Sequence, residues 1–439
     1  MKKSVSIFLF ITTLILGSIY FVDKLDSKKQ NNNITEIIYW QFWTGFEEDA
    51  IKHLVTKFNN EHSNIKVRML TISEPWKKTL LSIIGGTPPD VLNTTSEWLP
   101  ELAQRGAIVS LDDYCREEKI TKNLFIPVFW EMLTYDGMLW GLPLTPSSTA
   151  FYWNKDLFKK AGLDPEKPPV TLKELEYYSE KLTIKNNNGT IKQAGFFPSW
   201  PSWANTVYPL VFNGTWGDKN HITANHPANI KAWQWASNFA KKLGPGNIQS
   251  FQEEFGNIQG PNNPFYSEKI AIELNGVWEA NFITKFAPKI NWGASPIYTE
   301  NGELTTSVIC VPIVIPKGAK HPKEAFQFIS WLMKPENIEE LCIRQKNFSP
   351  LIISARPEFI NKHPNPHIKV FIDGAKSKNA SYFPSTTAFQ MYKRELRRTF
   401  SEVMRLETSP ENALNEVQNK LEKELERQEK YNRLRKFDM

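Results

Sequence analysis

Residues Ile34 to Phe42 form a run rich in Ile, Tyr and Trp that reads as a buried strand. Ile51, Leu54, Val55 and Phe58 follow at i, i+3, i+4 and i+7, the spacing of one helix face. Ile65, Val67 and Met69 then alternate with polar residues, the period of a second strand. Strand, helix and strand in so short a stretch make a βαβ unit, and the crossover helix makes the two strands parallel. This commits the start of the chain to an α/β sheet. The turn after the first strand, Trp43-Thr44-Gly45-Phe46-Glu47, lacks the Gly-x-Gly-x-x-Gly spacing, so no dinucleotide site is signalled.

A second helix, Trp76 to Ile84, runs into Gly85-Gly86-Thr87-Pro88-Pro89-Asp90, and Val91-Leu92 starts a third strand. Gly141 to Ser148 is Pro-rich and precedes an apolar strand, Thr149 to Trp153, which reads as a crossing between domains. Thr171 and Glu174 form a capping box for a helix to Leu182. Residues 196–217 are loop-rich and Trp-rich. Helices are predicted at Pro227–Leu243 and His321–Lys334, and a last one from Ser409-Pro410-Glu411 with the stripe Leu414, Val417, Leu421 and Leu425. Its charged end is expected to fray into solvent.

At the N-terminus, Lys2 and Lys3 precede an uncharged apolar run from Val5 to Val22, then a polar tether, Asp23 to Asn33. This is a cleaved signal peptide or an uncleaved membrane anchor, and either places the rest outside the cytoplasm. No Cys follows the run, so no lipid attachment is available. With 41% hydrophobic and 23% charged residues, the chain is neither disordered, collagen-like nor a polytopic membrane protein. The net charge of +6 is spread out, so no nucleic-acid partner is predicted. The cysteines Cys115, Cys310 and Cys342 suit neither a disulfide framework nor a metal pair, and are expected to be buried thiols. Common catalytic motifs are missing, the histidines are scattered, and the adjacent Glu253 and Glu254 would point apart, so no enzyme, metal or cofactor is expected. What stands out is aromatic content: 15 Trp, 13 Tyr and 28 Phe. Trp is an awkward core filler because its N–H needs a partner, so this excess suggests a surface that binds something flat as well as a core.

Several ordered segments resemble the extracytoplasmic solute-binding proteins of ABC sugar importers, the family that includes maltose-binding protein. They are Gly86-Thr87-Pro88-Pro89-Asp90-Val91, the stretch Leu102 to Asp113, Tyr135 to Pro143, and Tyr152-Trp153-Asn154-Lys155-Asp156-Leu157-Phe158 with its continuation to Asp164. Later come Asn275-Gly276-Val277-Trp278, Ile315 to Ala325, and Ser409 to Leu414. There are departures: Glu268-Lys269-Ile270-Ala271-Ile272 stands for the usual Gly-Lys-x-Ala-Met, and Trp153 for a second Tyr. The resemblance implies an α/β, two-lobed type II binding protein, each lobe a sheet flanked by helices, joined by crossing hinge strands. It implies an N-terminal lobe of residues 36–145 plus 306–348 and a C-terminal lobe of 146–305 plus 349–439, after a leader at 1–22 and a tether at 23–35. A monomer is expected to close on a sugar and present it to ABC permease subunits, held at the membrane by the N-terminal segment. The alternatives are another polar solute (a polyol phosphate or polyamine) and a membrane-tethered sensory module.

Sugars have apolar C–H faces and a rim of hydroxyls, so a sugar site pairs aromatic platforms with carboxylates, amides and hydroxyls. By resemblance the cleft candidates are Trp43 and Glu47 after the first strand, and Ser96 and Glu97 after the third. Ser147 lies at the lobe crossing, and Trp200, Trp203 and Trp216 in the Trp-rich loops. Asn275 and Trp278 belong to the Asn-Gly-x-Trp segment, and Tyr382 precedes the last helices. Trp278 is the stacking residue expected most firmly.

Overall fold

The computed structural model describes residues 34–73, 75–218, 221–255 and 260–437. The apolar run Val5–Val22 and the tether lie outside these residues. Among the described residues no helix is long and apolar enough to cross a membrane.

The opening unit forms as its periodicity requires. Strand β1 (Thr35–Gln41) pairs in parallel with β2 (Ile65–Thr71), with Ile37 opposite Val67. Helix α1 (Phe46–Glu61) connects them and buries Ala50, Ile51, Leu54, Val55 and Phe58. Each of the larger apolar side chains there contributes about 1.5–3 kcal/mol relative to exposure. Glu47, Glu48 and Asp49 in its first turn complement the helix dipole. Gly45 enters the helix at φ 61°, a left-handed conformation that a side chain would strain. Helix α2 (Pro75–Ile84) returns the chain to β3 (Val91–Asn93), which lies parallel to β1 on its other side.

Two long antiparallel strands, β4 (Leu142–Asn154) and β8 (Leu304–Val314), run through the middle of a nine-stranded sheet. They pair with each other from Leu142 to Ser148 and from Val308 to Ile313. At one end Ile313 and Val314 of β8 pair with β3. At the other, β4 takes up β5 (Ile272–Gly276) and β6 (Trp292–Ser295), while β8 takes up β7 (Ile297–Tyr298) and β9 (Asn379–Ser381). Two halves therefore share one strand pair. The Pro-rich stretch expected as a linker ahead of a new strand is instead the first half of β4. Pro143 and Pro146 are accommodated inside it, and the ladder shifts register between Val311 and Pro312, where proline cannot donate.

Beyond the sheet, α3 (Glu279–Phe286) follows β5, and α4 (Phe389–Met404) packs against α5 (Pro410–Phe437). Leu414, Val417 and Leu421 are buried as their spacing predicts. The charged end of α5 stays helical, carrying local pairs such as Arg427–Glu424 at 2.8 Å. Cys115, Cys310 and Cys342 are free and buried.

Candidate functional site

A cavity of about 340 Å³ opens where β4 and β8 pass together. Its floor is Ser147 and Thr149 of β4 with Ser307 and Ile309 of β8. Glu97, in a 3-10 turn that follows β3, closes one side. The other side is built by Trp203 and Thr206, by Trp216, Trp278, Tyr382 and Phe383, and by Lys393 of α4.

The aromatic wall is braced from behind. The Trp203 and Trp278 rings meet at 6.0 Å with planes tilted by 57°. Trp278 lies so close over Gly276 that a Cβ there would sit 2.2 Å from its ring, which explains the glycine in Asn275-Gly276-Val277-Trp278. Trp216 is fixed by its indole N–H, which donates to Thr206 O at 2.7 Å, and it packs against Phe383 at 6.3 Å. Burial raises the Tyr382 phenol, with the nearby Glu131 charge adding to the shift, so it stays protonated. Glu97 and Lys393 face each other at 3.6 Å, with side chains 20% and 25% exposed. Lys393 also sits 5.1 Å from the centre of the Phe383 ring. The Ser147 hydroxyl is buried and has no partner, whereas the Thr149 hydroxyl meets Thr306 at 3.1 Å. The cavity thus offers flat apolar rings, the unpartnered Ser147 hydroxyl and a balanced pair of charges.

The structure brings Glu97, Ser147, Trp203, Trp216, Trp278 and Tyr382 to one cavity. Other expected residues lie elsewhere. Trp43 is packed in the core beside β1, 7% exposed, where Gln41 bonds its backbone. The Glu47 carboxyl, at the start of α1, is pushed up to about 7 by burial. The Ser96 hydroxyl accepts from the Cys310 N–H at 3.3 Å. Trp200 is buried, with its indole N–H on Glu273 at 3.3 Å, and it lines a different cavity with Arg397 and Arg405. The Asn275 amide points away to Glu273 and Glu279, at 3.1 and 2.8 Å. The indole of Trp200 and the amide of Asn275 are thus engaged behind the cavity wall. Sequence reasoning missed Lys393, Ser307, Ile309 and Phe383. None of them lies in a local motif; Ile309 stands out only in the structure, as an apolar strand residue 37% exposed.

The profile of the bacterial extracellular solute-binding protein family matches residues 45–339, more than half of the chain. The protein belongs to this family. Family members are non-enzymatic and extracytoplasmic; they bind small molecules and deliver them to ABC permeases. A relative, the sn-glycerol-3-phosphate-binding periplasmic protein UgpB of Pectobacterium atrosepticum, is 25% identical over 329 residues, 70% of this chain and 71% of that protein. Among solved structures, CpMnBP1 with mannotriose bound is 29% identical, with a TM-score of 0.77 over 88% of this chain and 99% of the other. The sugar-binding protein MalE of Xanthomonas citri shares the two-lobed fold at 20% identity, with a TM-score of 0.75 over 90% and 98%.

Proposed function

We propose that this solute-binding protein takes a carbohydrate, a mono- or oligosaccharide, in the cavity between its lobes and presents it to an ABC importer by hinge closure. The observation that carries this reading is the Trp203–Trp278 wall, half-buried, facing a lining whose only charges are the Glu97–Lys393 pair. Rings match the C–H face of a sugar, and Glu97 and Ser147 match its hydroxyls. A phosphate ester would need cation in excess, and the single lysine of the lining is already paired. CpMnBP1, which binds mannotriose, supports the same class. Hinge closure follows because a ligand bridging Glu97 and the Trp wall stabilises the state in which they are close.

The lobes are proposed to be residues 36–145 plus 306–348 and residues 146–305 plus 349–439, hinged in β4 and β8. The run Val5–Val22, a cleaved signal peptide or an uncleaved anchor, supports a place outside the cytoplasm, at the membrane's outer face if it is uncleaved. A second reading, glycerol phosphate, is favoured by the UgpB relative. A panel of mannose, mannobiose, mannotriose, other glycans, sn-glycerol-3-phosphate and glycerophosphocholine separates the two. A saccharide should shift Trp fluorescence and raise the melting temperature, because a ligand bound only by the native state stabilises it. A response to glycerol phosphate alone would overturn the carbohydrate reading.

A further inference from the structure

Behind the Trp wall lies a pair of acids that solute binding in the cavity does not use. Glu273 of β5 and Glu279 of α3 are both 0% exposed. The Asn275 amide bridges them. The Tyr266 hydroxyl donates to Glu279 Oε1 at 2.5 Å, and the Trp200 indole donates to Glu273 Oε2 at 3.3 Å. The other titratable group facing the pair is Tyr152 of β4, whose hydroxyl donates to Gly276 O at 2.8 Å. Among the described residues no lysine or arginine contributes to the field at either carboxyl.

Two carboxylates side by side with no cation are unfavourable twice over, through lost hydration and mutual repulsion. A proton between them removes one charge and supplies the donor for a carboxyl–carboxylate hydrogen bond. Burial raises both acids, Glu273 to about 7 and Glu279 well above the usual carboxyl range, with the Glu273 charge adding to the rise of Glu279. The pair therefore keeps a proton near neutral pH.

Its position gives that proton a consequence. Glu273 holds the indole of Trp200, on the segment that carries Trp203 into the cavity. Glu279 directly follows Trp278. The pair ties together, from behind, the two segments whose rings meet in front at 6.0 Å. We propose that Glu273 and Glu279 are a proton-sharing positioning pair that holds the Trp203 and Trp278 segments in register, so that ligand affinity depends on a buried proton. This rests on the Trp203–Trp278 wall being the ligand surface. The proton that leaves near pH 7 still leaves one shared by the two acids; loss of that shared proton at higher pH leaves two buried charges, which separate by moving the Trp200–Trp203 segment off β5 and spoiling the wall.

The experiment uses the full chain, mannotriose (or the best saccharide of the panel) and a series from about pH 5 to about pH 9. Melting temperature is read without ligand, and dissociation constants by calorimetry. In the wild type the melting temperature should fall as pH rises from about 4.5 toward about 7, where the first proton leaves the pair, and affinity should worsen above that as the shared proton leaves, by at most about tenfold per pH unit for one linked proton. Glu273→Gln keeps the shape without the charge and trades one of the two oxygens that accept from Trp200 and Asn275 for an amide NH2. It should flatten the affinity profile and reduce the slope of the melting-temperature profile, in which Glu47, also raised to about 7, keeps a share. A wild-type melting temperature indifferent to pH, or a Glu273→Gln variant that keeps the wild-type profile, overturns the proposal. The ligand-free arm reads the proton even if no saccharide binds, so failure of the ligand reading remains distinguishable. If Glu273→Gln does not fold, infrared spectra of wild-type protein with isotope-labelled Glu decide. A buried carboxylic-acid carbonyl band at low pH that fades at high pH supports the pair, and its absence refutes it.

Discussion

Trp278→Ala tests the cavity most directly. The ring is half-buried: one face is packed over Gly276 and one edge touches Trp203 at 6.0 Å. A fully covered aromatic side chain buries about 150–250 Å², of which roughly half remains for a ligand when the inner face is already covered. At about 25 cal/mol per Å², that half corresponds to about 2–3 kcal/mol. Imperfectly paired sugar hydroxyls and ordering of the ligand reduce the yield, so about 1.4–3 kcal/mol is expected, tenfold to roughly a hundredfold in dissociation constant. Calorimetry with the strongest saccharide of the panel reads it. Trp278→Phe keeps a smaller platform and should lose less. Trp331→Phe is the control, since Trp331 is buried beside α1 with its N–H on Glu61 at 2.8 Å, far from the cavity wall. It should lower stability and leave affinity unchanged. A folded Trp278→Ala protein that binds within twofold of wild type would remove Trp278 from the site and with it the main support for a sugar.

Lys393→Met removes the partner that Glu97 meets at 3.6 Å. The pair is partly exposed, so binding of a neutral sugar should weaken by only about 0.5–1 kcal/mol, and the salt dependence of the dissociation constant should flatten. An unchanged salt response would show that the pair does not assist closure. His363 is held neutral: its Nδ1 accepts from the Asn365 N–H at 3.1 Å, and burial pushes its pKa down to about 4. A depressed imidazole pKa means that the unfolded chain binds more protons between about 6.5 and 4, so stability is lost as pH falls through that window. The loss is roughly 3 kcal/mol at most, at 1.36 kcal/mol per pH unit, and denaturant titrations should find it reduced in His363→Gln. Thr171→Ala removes the exposed capping box, in which Thr171 Oγ1 accepts from the Glu174 N–H at 3.2 Å. It should lower stability by about 1 kcal/mol in the same assay, without changing affinity.

Local periodicity made β1, α1 and β2 legible, because their apolar residues repeat at 3.6 and 2 and pack as those periods demand. The capping box at Thr171 was legible for the same reason: it lies within four residues of chain. β4 was half misread, because its prolines argue against a central strand. Only the bulge opposite them in β8, a long-range feature, makes them tolerable. The cavity divides along the same line. Glu97 and Trp278 lie in segments whose resemblance to a family could be seen. Lys393 lies on a helix with no local motif, and the pairing of β8 with β9 and the packing of α4 decide that it faces Glu97. Trp200 and Asn275 were drawn toward the cleft by sequence neighbours that do line it, but each found a partner in Glu273.

The tryptophan excess is resolved by following the indole N–H groups. Trp140 donates to Tyr135 O, Trp153 to Pro165 O, Trp200 to Glu273, Trp216 to Thr206 O, Trp235 to Glu176 and Trp331 to Glu61. An indole with an internal acceptor is oriented by the fold, and of these rings only that of Trp216 reaches the cavity. Trp203 and Trp278 line the cavity without an acceptor for their N–H among the described residues. Both the ring face and the donor of each are therefore left for a ligand. A solute that presents a flat apolar face and hydroxyl oxygens satisfies both at once. A purely ionic solute can accept from the indole N–H groups but leaves the ring faces unused, and this distinction, more than the number of tryptophans, supports the proposed carbohydrate.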